Sequence, residues 1–152
     1  MKEQATIDVL SQETRRFYRL YHEKISRRVR AVLGDALTPV QYLLLGIITE
    51  EGPISMSEIG ERVTMQKQQV TSVINQLEEK GLVTRARRSE NRRVVWLEAT
   101  PRARELEEEI VRQTQQAFRS LFESLTDEET EEYLQAMQTA NRLLARLPGG
   151  KK

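Results

Sequence analysis

The sequence has no cysteine among its 152 residues and a single histidine, His22. The lack of cysteine excludes disulfide bonds, thiolate metal sites and thiol redox sensing. One histidine cannot form a metal site alone, and we interpret His22 as a helix-surface or interface residue. A phosphate-binding glycine loop is also missing, and the acidic run Glu107-Glu108-Glu109 is typical of a solvated helix face. We therefore expect no metal, no cofactor and no catalytic residues, and we interpret the protein as a non-enzyme.

Long apolar runs are missing as well. The longest extends over Leu43–Ile48, whereas a membrane-spanning helix needs about 20 apolar residues. The polar start Met1–Thr6 does not resemble a signal peptide. Aromatic residues make up only 5% of the chain and charged residues 31%, which favours a helical protein with a charged surface. We expect a cytoplasmic, soluble protein of one domain that does not contact a membrane.

Positive and negative charges nearly balance over the whole chain, but they are unevenly distributed along it. The formal net charge is +1. Seven arginines nevertheless fall between Arg85 and Arg104, against two acidic residues, Glu90 and Glu98. Acidic residues dominate the segment that follows, from 105 to 132. One basic patch on a nearly neutral protein indicates local contact with a polyanion.

A helix predicted over Met65–Lys80 has one apolar face and one face of amides and hydroxyls. Its apolar residues fall at positions 70, 73, 74 and 77, the spacing of an amphipathic helix. A solvated face would normally carry Glu and Lys pairs, but this one carries groups that can read base edges in a major groove. We interpret it as a DNA recognition helix. The predicted contacts are Gln66, Lys67, Gln68, Gln69, Thr71, Ser72, Asn75 and Gln76.

The segments around that helix predict a winged helix-turn-helix. A capping box opens a short helix over Ser55–Val63, and Thr64 forms the turn. Strands over Leu82–Arg87 and Arg93–Ala99 form a basic hairpin, the wing, and Ile54 is expected to bridge to it. Arginines hold phosphates and enter narrow minor grooves, the role we favour for position 92 or 93. The predicted contacts outside the recognition helix are Ser55, Arg85, Arg87, Arg88, Arg92 and Arg93.

A central helix is predicted from Thr38 to about Glu50. Thr38 and Gln41 form a capping box, and Pro39 occupies the first helical position. Apolar side chains on most faces predict burial, and Gly46 suggests a close contact with another helix. Tyr18 and Trp96 are further candidates for lining a pocket, although aromatic residues in such positions more often belong to the core or to an interface. The crevice between this helix and the first helix is the predicted ligand pocket, lined by Phe17, Tyr21, Tyr42 and Leu45.

Long amphipathic helices flank this core at both chain ends, over about residues 6–33 and 100–147. A helix of about 27 residues spans roughly 40 Å, more than a domain of this size needs. A homodimer would bury the same apolar patch twice. The predicted fold class is therefore mainly α with a small β-hairpin wing. One domain over 1–147 combines a winged helix-turn-helix (about 37–99) with terminal dimerisation helices, and 148–152 form a disordered tail.

These segments together resemble the MarR family of bacterial transcriptional regulators. The resemblance rests on LTPVQ at 37–41, GPISMSEI at 52–59, VT at 70–71 and LEEKGLVTR at 77–85. NRRVV at 91–95 is similar to the Asp-Arg-Arg wing signature of the family. The resemblance implies a dimer that binds pseudo-palindromic double-stranded DNA. It also implies a repressor that releases DNA when a small aromatic or lipophilic ligand binds.

A second interpretation is a winged-helix protein-interaction or dimerisation module without specific DNA reading. Two departures from the family pattern favour it: Asn91 replaces the wing Asp, and Ser72 stands where the recognition helix often has Arg. The arginine-rich wing and the polar recognition face favour DNA binding, because a protein-binding wing does not need five arginines. Retention on heparin or DNA resin would distinguish the two interpretations.

Overall fold

A computed structural model describes residues 3–86 and 94–148 of the chain. It is mostly helical with one small sheet, which confirms the predicted fold class. No helix within these two segments is long and apolar enough to cross a membrane. The elements in chain order are α1 (Gln4–Tyr21), a π-helical turn (His22–Ser26), α2 (Arg27–Leu33), α3 (Pro39–Glu51), β1 (Ile54–Ser55), α4 (Met56–Arg62), α5 (Lys67–Glu79), β2 (Val83–Ala86), β3 (Trp96–Ala99), α6 (Pro101–Phe122) and α7 (Asp127–Leu144).

The first long helix is formed by α1, the π-helical turn and α2 without a break. Its predicted end is confirmed, since Gly34 follows α2 with φ at 51°, a conformation that favours glycine. Every residue of α1 is exposed, and so is His22, as expected of a helix-surface residue. In α2, Leu33 is buried in the core. The first helix thus extends from the core into solvent.

The central helix α3 begins with the expected capping box. The Thr38 hydroxyl accepts from the Gln41 backbone N–H at 3.2 Å, and the Gln41 side-chain oxygen accepts from the Thr38 N–H at 3.0 Å. Leu44, Leu45 and Ile48 are completely buried. The expected close contact at Gly46 is wrong, because a Cβ there would meet no atom within 4 Å. The aliphatic side chains on its other faces hold α3 in place, which leaves open space beside Gly46.

The sheet has three antiparallel strands in the order β1-β3-β2. Ile54 pairs with Leu97, which confirms the expected bridge to the wing strands. On the other side of β3, Val83 pairs with Ala99. The described strands are shorter than predicted, since Leu82 lies outside β2 and β3 begins at Trp96. The predicted wing turn lies outside the described residues.

The recognition helix α5 packs its apolar face into the core. Val70, Ile74 and Leu77 are buried together with Ile59 of α4 and Leu97 of β3. The predicted amphipathic stripe is therefore confirmed. Because Gln66 is the N-cap, the helix starts at Lys67, two residues later than predicted. Its polar face points away from this core.

The terminal helices leave much apolar surface uncovered. In α6, Ala103 and Ile110 are buried, whereas every residue of α7 is exposed or half-buried. Rings of α6 and α7 meet between Phe122 and Tyr133, whose centroids lie 5.1 Å apart. The exposed large apolar residues of the terminal segments are Ile7, Val9, Leu10, Phe17, Tyr18, Leu20, Tyr21, Val111, Leu125, Leu134, Leu143, Leu144 and Leu147.

Candidate nucleic-acid interface

The N-terminal half of α5 presents an exposed polar surface. Gln66, Lys67, Gln68, Gln69 and Ser72 are all exposed. The Gln66 backbone N–H donates to the Gln69 side-chain oxygen at 3.2 Å, which helps to cap the first turn. The positive end of the helix dipole adds to the Lys67 charge, so this end attracts phosphate. The first two turns of α5 can therefore approach a nucleic acid.

Thr71 is the one predicted contact in this half that is partly buried. Its hydroxyl donates to the Lys67 carbonyl oxygen at 2.9 Å. Bonds of this kind inside a helix leave the hydroxyl oxygen free to accept another proton. Thr71 can therefore still accept a bond from a base amino group.

The C-terminal half of α5 is joined to the wing strand β2. The Arg85 guanidinium donates to the Asn75 side-chain oxygen at 2.6 Å and lies 3.1 Å from a Glu78 carboxylate oxygen. A guanidinium with two partners is held in a defined position because its donors form a rigid fork. Arg85 and Asn75, both predicted to touch DNA, thus join the wing to the recognition helix in the free chain.

Gln76, the last predicted contact on α5, bonds to the central helix. Its side-chain oxygen accepts from the Gln41 side-chain nitrogen at 2.8 Å. Gln41 is only 4% exposed. The amide of Gln76 is therefore directed towards α3 in this structure.

Ser55 lies where β1 passes into α4. It is 7% exposed, and its hydroxyl accepts from the Glu58 backbone N–H at 3.2 Å. The Ser55 N–H in turn donates to the Glu58 carboxylate at 2.8 Å. These bonds from Ser55 lower the pKa of Glu58. Ser55 has a clear structural role as a helix cap, and its DNA contact stays a prediction. The other predicted wing contacts, Arg87, Arg88, Arg92 and Arg93, lie outside the described residues.

The predicted crevice brings together α1 and α3. Phe17 and Tyr21 stack with ring centroids 5.9 Å apart. Tyr42 is half-buried. Burial raises the pKa of Tyr42, and the negative charges of Glu107 and Glu50 and the nearby Tyr21 phenol raise it further. Tyr21 and Tyr42 therefore lie near each other and near two carboxylates, and the pocket itself stays a prediction.

Further aromatic residues extend this junction to α6 and α7. Burial and the neighbouring Tyr21 raise the pKa of Tyr133. The Tyr133 ring contacts Phe122, and Phe122 lies 5.9 Å from Phe118. An otherwise aromatic-poor chain therefore concentrates its rings where the terminal helices meet the core. We call this set the aromatic junction: Phe17, Tyr21, Tyr42, Phe118, Phe122 and Tyr133.

The remaining pocket candidates lie elsewhere. Leu45 is completely buried in the hydrophobic core and is not exposed towards the crevice. Tyr18 is 72% exposed, and Trp96 pairs with Ser55 in the sheet. A pocket role for Leu45 stays a prediction that would require the core to open.

Glu107 is a site residue that the sequence interpretation missed. Its expected place on a solvated face is wrong, because it is half-buried and burial raises its pKa. Glu107 is half-buried because α6 packs beside α3. Glu50 of α3 lies close enough to raise the pKa of Glu107 further. Its spacing from the buried Ala103 and Ile110, one helical turn on either side, was the signal that could have identified it.

The helix-turn-helix of α4 and α5, backed by a three-stranded sheet, defines a winged helix-turn-helix protein. A sequence model of the MarR family matches residues 37–95. The HTH-type transcriptional regulator YwhA of Bacillus subtilis (strain 168) is 32% identical over 107 residues, covering 67% of this chain and 77% of YwhA. The chain belongs to the MarR family and is a DNA-binding transcriptional regulator.

Two further comparisons agree with this assignment. The HTH-type transcriptional repressor MdtR of the same strain is 30% identical over 95 residues, covering 62% of this chain and 61% of MdtR. A MarR family protein structure from Bacillus stearothermophilus matches with a TM-score of 0.76 at 21% identity, covering 96% of this chain and all of that one. At this identity, the structural match supports the fold.

Proposed function

We propose that the protein is a homodimeric cytoplasmic repressor that binds a pseudo-palindromic operator and is released by a small aromatic or lipophilic ligand. The observation that carries the proposal is α5, whose apolar face is buried while its N-terminal turns present amides and a lysine to solvent. Exposed side-chain amides on a helix can form hydrogen bonds to base edges in a major groove.

Homodimerisation is supported by the uncovered apolar surface of the terminal helices. Leu10 and Phe17 of α1 are 55% and 52% exposed, and Leu144 at the end of α7 is 62% exposed. Extensive exposed apolar surface is typical of an interface. The charge distribution also favours a second copy of this chain as the partner that covers this surface. The arginines of α1 would face acidic residues at the start of α7, such as Asp127 and Glu128.

DNA binding in this dimer would place two α5 helices in successive major grooves. That arrangement requires a separation of about 34 Å. Glutamine reads adenine through two hydrogen bonds, which suits Gln68 and Gln69. Lys67 and the wing arginines would hold phosphates, and arginine 92 or 93 would enter the minor groove.

Ligand release is supported by the aromatic junction. It lies between the first helix and the core, so a molecule inserted there would move α1 relative to α5. Such a ligand acts only if it favours one of two spacings of the recognition helices. Glu50 and Glu107 beside Tyr42 would disfavour a carboxylate ligand at this place. Repression is supported by the relative MdtR, which is named a repressor.

The test is fluorescence anisotropy with the DNA upstream of the protein's own gene. A shuffled duplex of equal composition is measured beside it at one fixed salt concentration. We expect the upstream DNA to bind about 10³-fold more tightly or better. Equal affinity for both duplexes would contradict specific binding at this site. Absence of binding at low salt would favour the protein-interaction module.

Two variants locate the surface within the same assay. Gln68→Ala removes an exposed amide in the first turn of α5 and should reduce the preference for the upstream DNA. Gln138→Ala removes an equally exposed amide from α7 and serves as the matched control. A similar loss in both variants would show that α5 is not the reading surface.

A further inference from the structure

Gln41 is a buried amide that the DNA-reading surface does not itself require. It is 4% exposed, among the leucines and isoleucines of the core. Its oxygen accepts from the Thr38 N–H at 3.0 Å, and its nitrogen donates to the Gln76 oxygen at 2.8 Å. Both ends of the amide are therefore satisfied. Because a buried amide without a partner is costly, these bonds define where Gln76 must lie.

A second bond joins the same two segments. The Lys80 ammonium donates to the Ala36 carbonyl oxygen at 2.8 Å. Gln76 and Lys80 are four residues apart, so they lie on one face of α5. Their partners belong to the loop after α2 and the first turn of α3. The C-terminal half of α5 is therefore fastened to the point where the first long helix ends.

The position of Gln76 along α5 separates it from the reading surface. Gln76 lies nine positions after Lys67, which is about 13 Å along a helix. The N-terminal residues of a recognition helix are those that contact base edges. Gln76 is far from that end, and its side-chain oxygen accepts a bond from Gln41 of α3.

We infer that Gln76 does not read bases but forms, with the buried Gln41, a partly buried amide latch that sets the orientation of the recognition helix. Gln41 and Gln76 are thus positioning residues for DNA binding. The neighbouring bond from Lys80 to Ala36 connects the loop after the first long helix to the end of α5, so a displacement of that helix reorients the reading surface. The inference rests on the specific DNA binding proposed above, but neither on repression nor on a ligand.

The test compares methionine variants at both positions, because methionine has a similar length but lacks the amide. Q76M should weaken operator binding by about five- to tenfold, the effect of one hydrogen bond. Q41M should weaken it at least as much, because it also removes the acceptor of the Thr38 N–H. The double variant should be no weaker than Q41M, since the bond between the two amides is already lost there. The order of preference among single-base operator variants should stay unchanged. A change of preference at one base pair in Q76M alone would show base reading and overturn the latch.

A conservative variant separates the two roles of Gln76 further. Q76E keeps an oxygen that can accept from Gln41, so its operator affinity should stay within about threefold of wild type. A carboxylate at a base-reading position would instead be repelled by DNA and would abolish binding. Loss of binding in Q76E would therefore overturn the inference.

Stability is controlled by Thr126→Ala, which removes the α7 cap outside the reading surface and is measured at protein concentrations where the dimer is fully formed. All affinities are measured well below the melting temperatures, so that every variant is folded. Unchanged affinity in Q41M and Q76M would overturn the positioning role. A DNA-free measurement distinguishes failure of the latch from failure of the proposed function. The side-chain amide protons of Gln41 should exchange slowly in wild type and faster in Q76M, and fast exchange in wild type would overturn the latch.

Discussion

Glu107 is a carboxylate in a place that disfavours its charge. Burial raises its pKa, the neighbouring Thr49 side chain, a hydrogen-bond donor, opposes this, the nearby Glu50 adds to the rise, and Arg104 lowers it. A raised pKa means that the native state binds this proton more tightly than the unfolded state does. The stability that the group contributes is therefore complete at acidic pH and is lost as pH rises through the folded pKa.

Glu107→Gln should accordingly stabilise the protein at neutral pH, where the wild-type carboxylate is charged. The gain should be at most about 1 kcal/mol, because water screens a half-exposed group. Thermal unfolding from acidic to neutral pH is the measurement, and the difference from wild type should shrink towards acidic pH. The exposed Glu108→Gln is the control, and equal effects of both substitutions would contradict the assignment.

Gly46 and Gly81 should respond to alanine in opposite directions. Gly46 lies inside α3, where a Cβ meets no atom within 4 Å, so alanine should stabilise the protein by up to about 1 kcal/mol. Gly81 has φ at 71°, so alanine there should cost about 1 kcal/mol or more. Denaturant unfolding measures both changes. Destabilisation by Gly46→Ala would show that the neighbouring space closes in solution.

Helix starts are the elements most readily predicted from this sequence. The three predicted capping boxes, at Thr38, Ser55 and Thr126, are all present. A cap depends on residues three apart, so its information is local. The start of α5 was predicted less accurately, because its N-cap, Gln66, is not one of the preferred short side chains and makes no side-chain cap bond.

Thr126→Ala tests a cap in isolation. The Thr126 hydroxyl accepts from the Glu129 N–H at 3.1 Å, and its loss should destabilise the protein by about 1 kcal/mol. DNA affinity should not change at protein concentrations where the dimer is fully formed, since Thr126 lies outside the reading surface on α5. Chemical denaturation and anisotropy on the same samples provide both values. Thr126→Ser retains the hydroxyl and should behave like wild type.

For the whole molecule, the uncovered apolar surface determines the association state that we propose. Leu144→Glu places a charge within that surface and should convert dimers into monomers, which sedimentation velocity would detect. Operator affinity should fall when dimerisation is lost, because each half-site is then bound by a separate monomer. Gln138→Glu adds the same charge at an exposed polar position of α7 and should leave the dimer intact. A monomeric wild type would contradict the proposal.

The fold class and the buried apolar face of α5 could be predicted, because periodicity and caps are local features of each helix. The contacts between elements could not. Gln41 and Gln76 are 35 residues apart, and Lys80 and Ala36 are 44 apart. Their side chains meet only because packing brings α5 beside the end of the first helix. Glu107 was misjudged for the same reason, since its burial depends on α3.

The π-helical turn at His22–Ser26 has a consequence for how the dimer angle could change in evolution. A π turn accommodates one extra residue within a helix, and one residue corresponds to a rotation of about 100°. Deleting one residue there would leave α2 seated in the core but would rotate all of α1 around the helix axis. Leu10 and Phe17 would then face a different direction. A single insertion or deletion of one codon could thus change the mutual orientation of two subunits while every interface side chain stays the same.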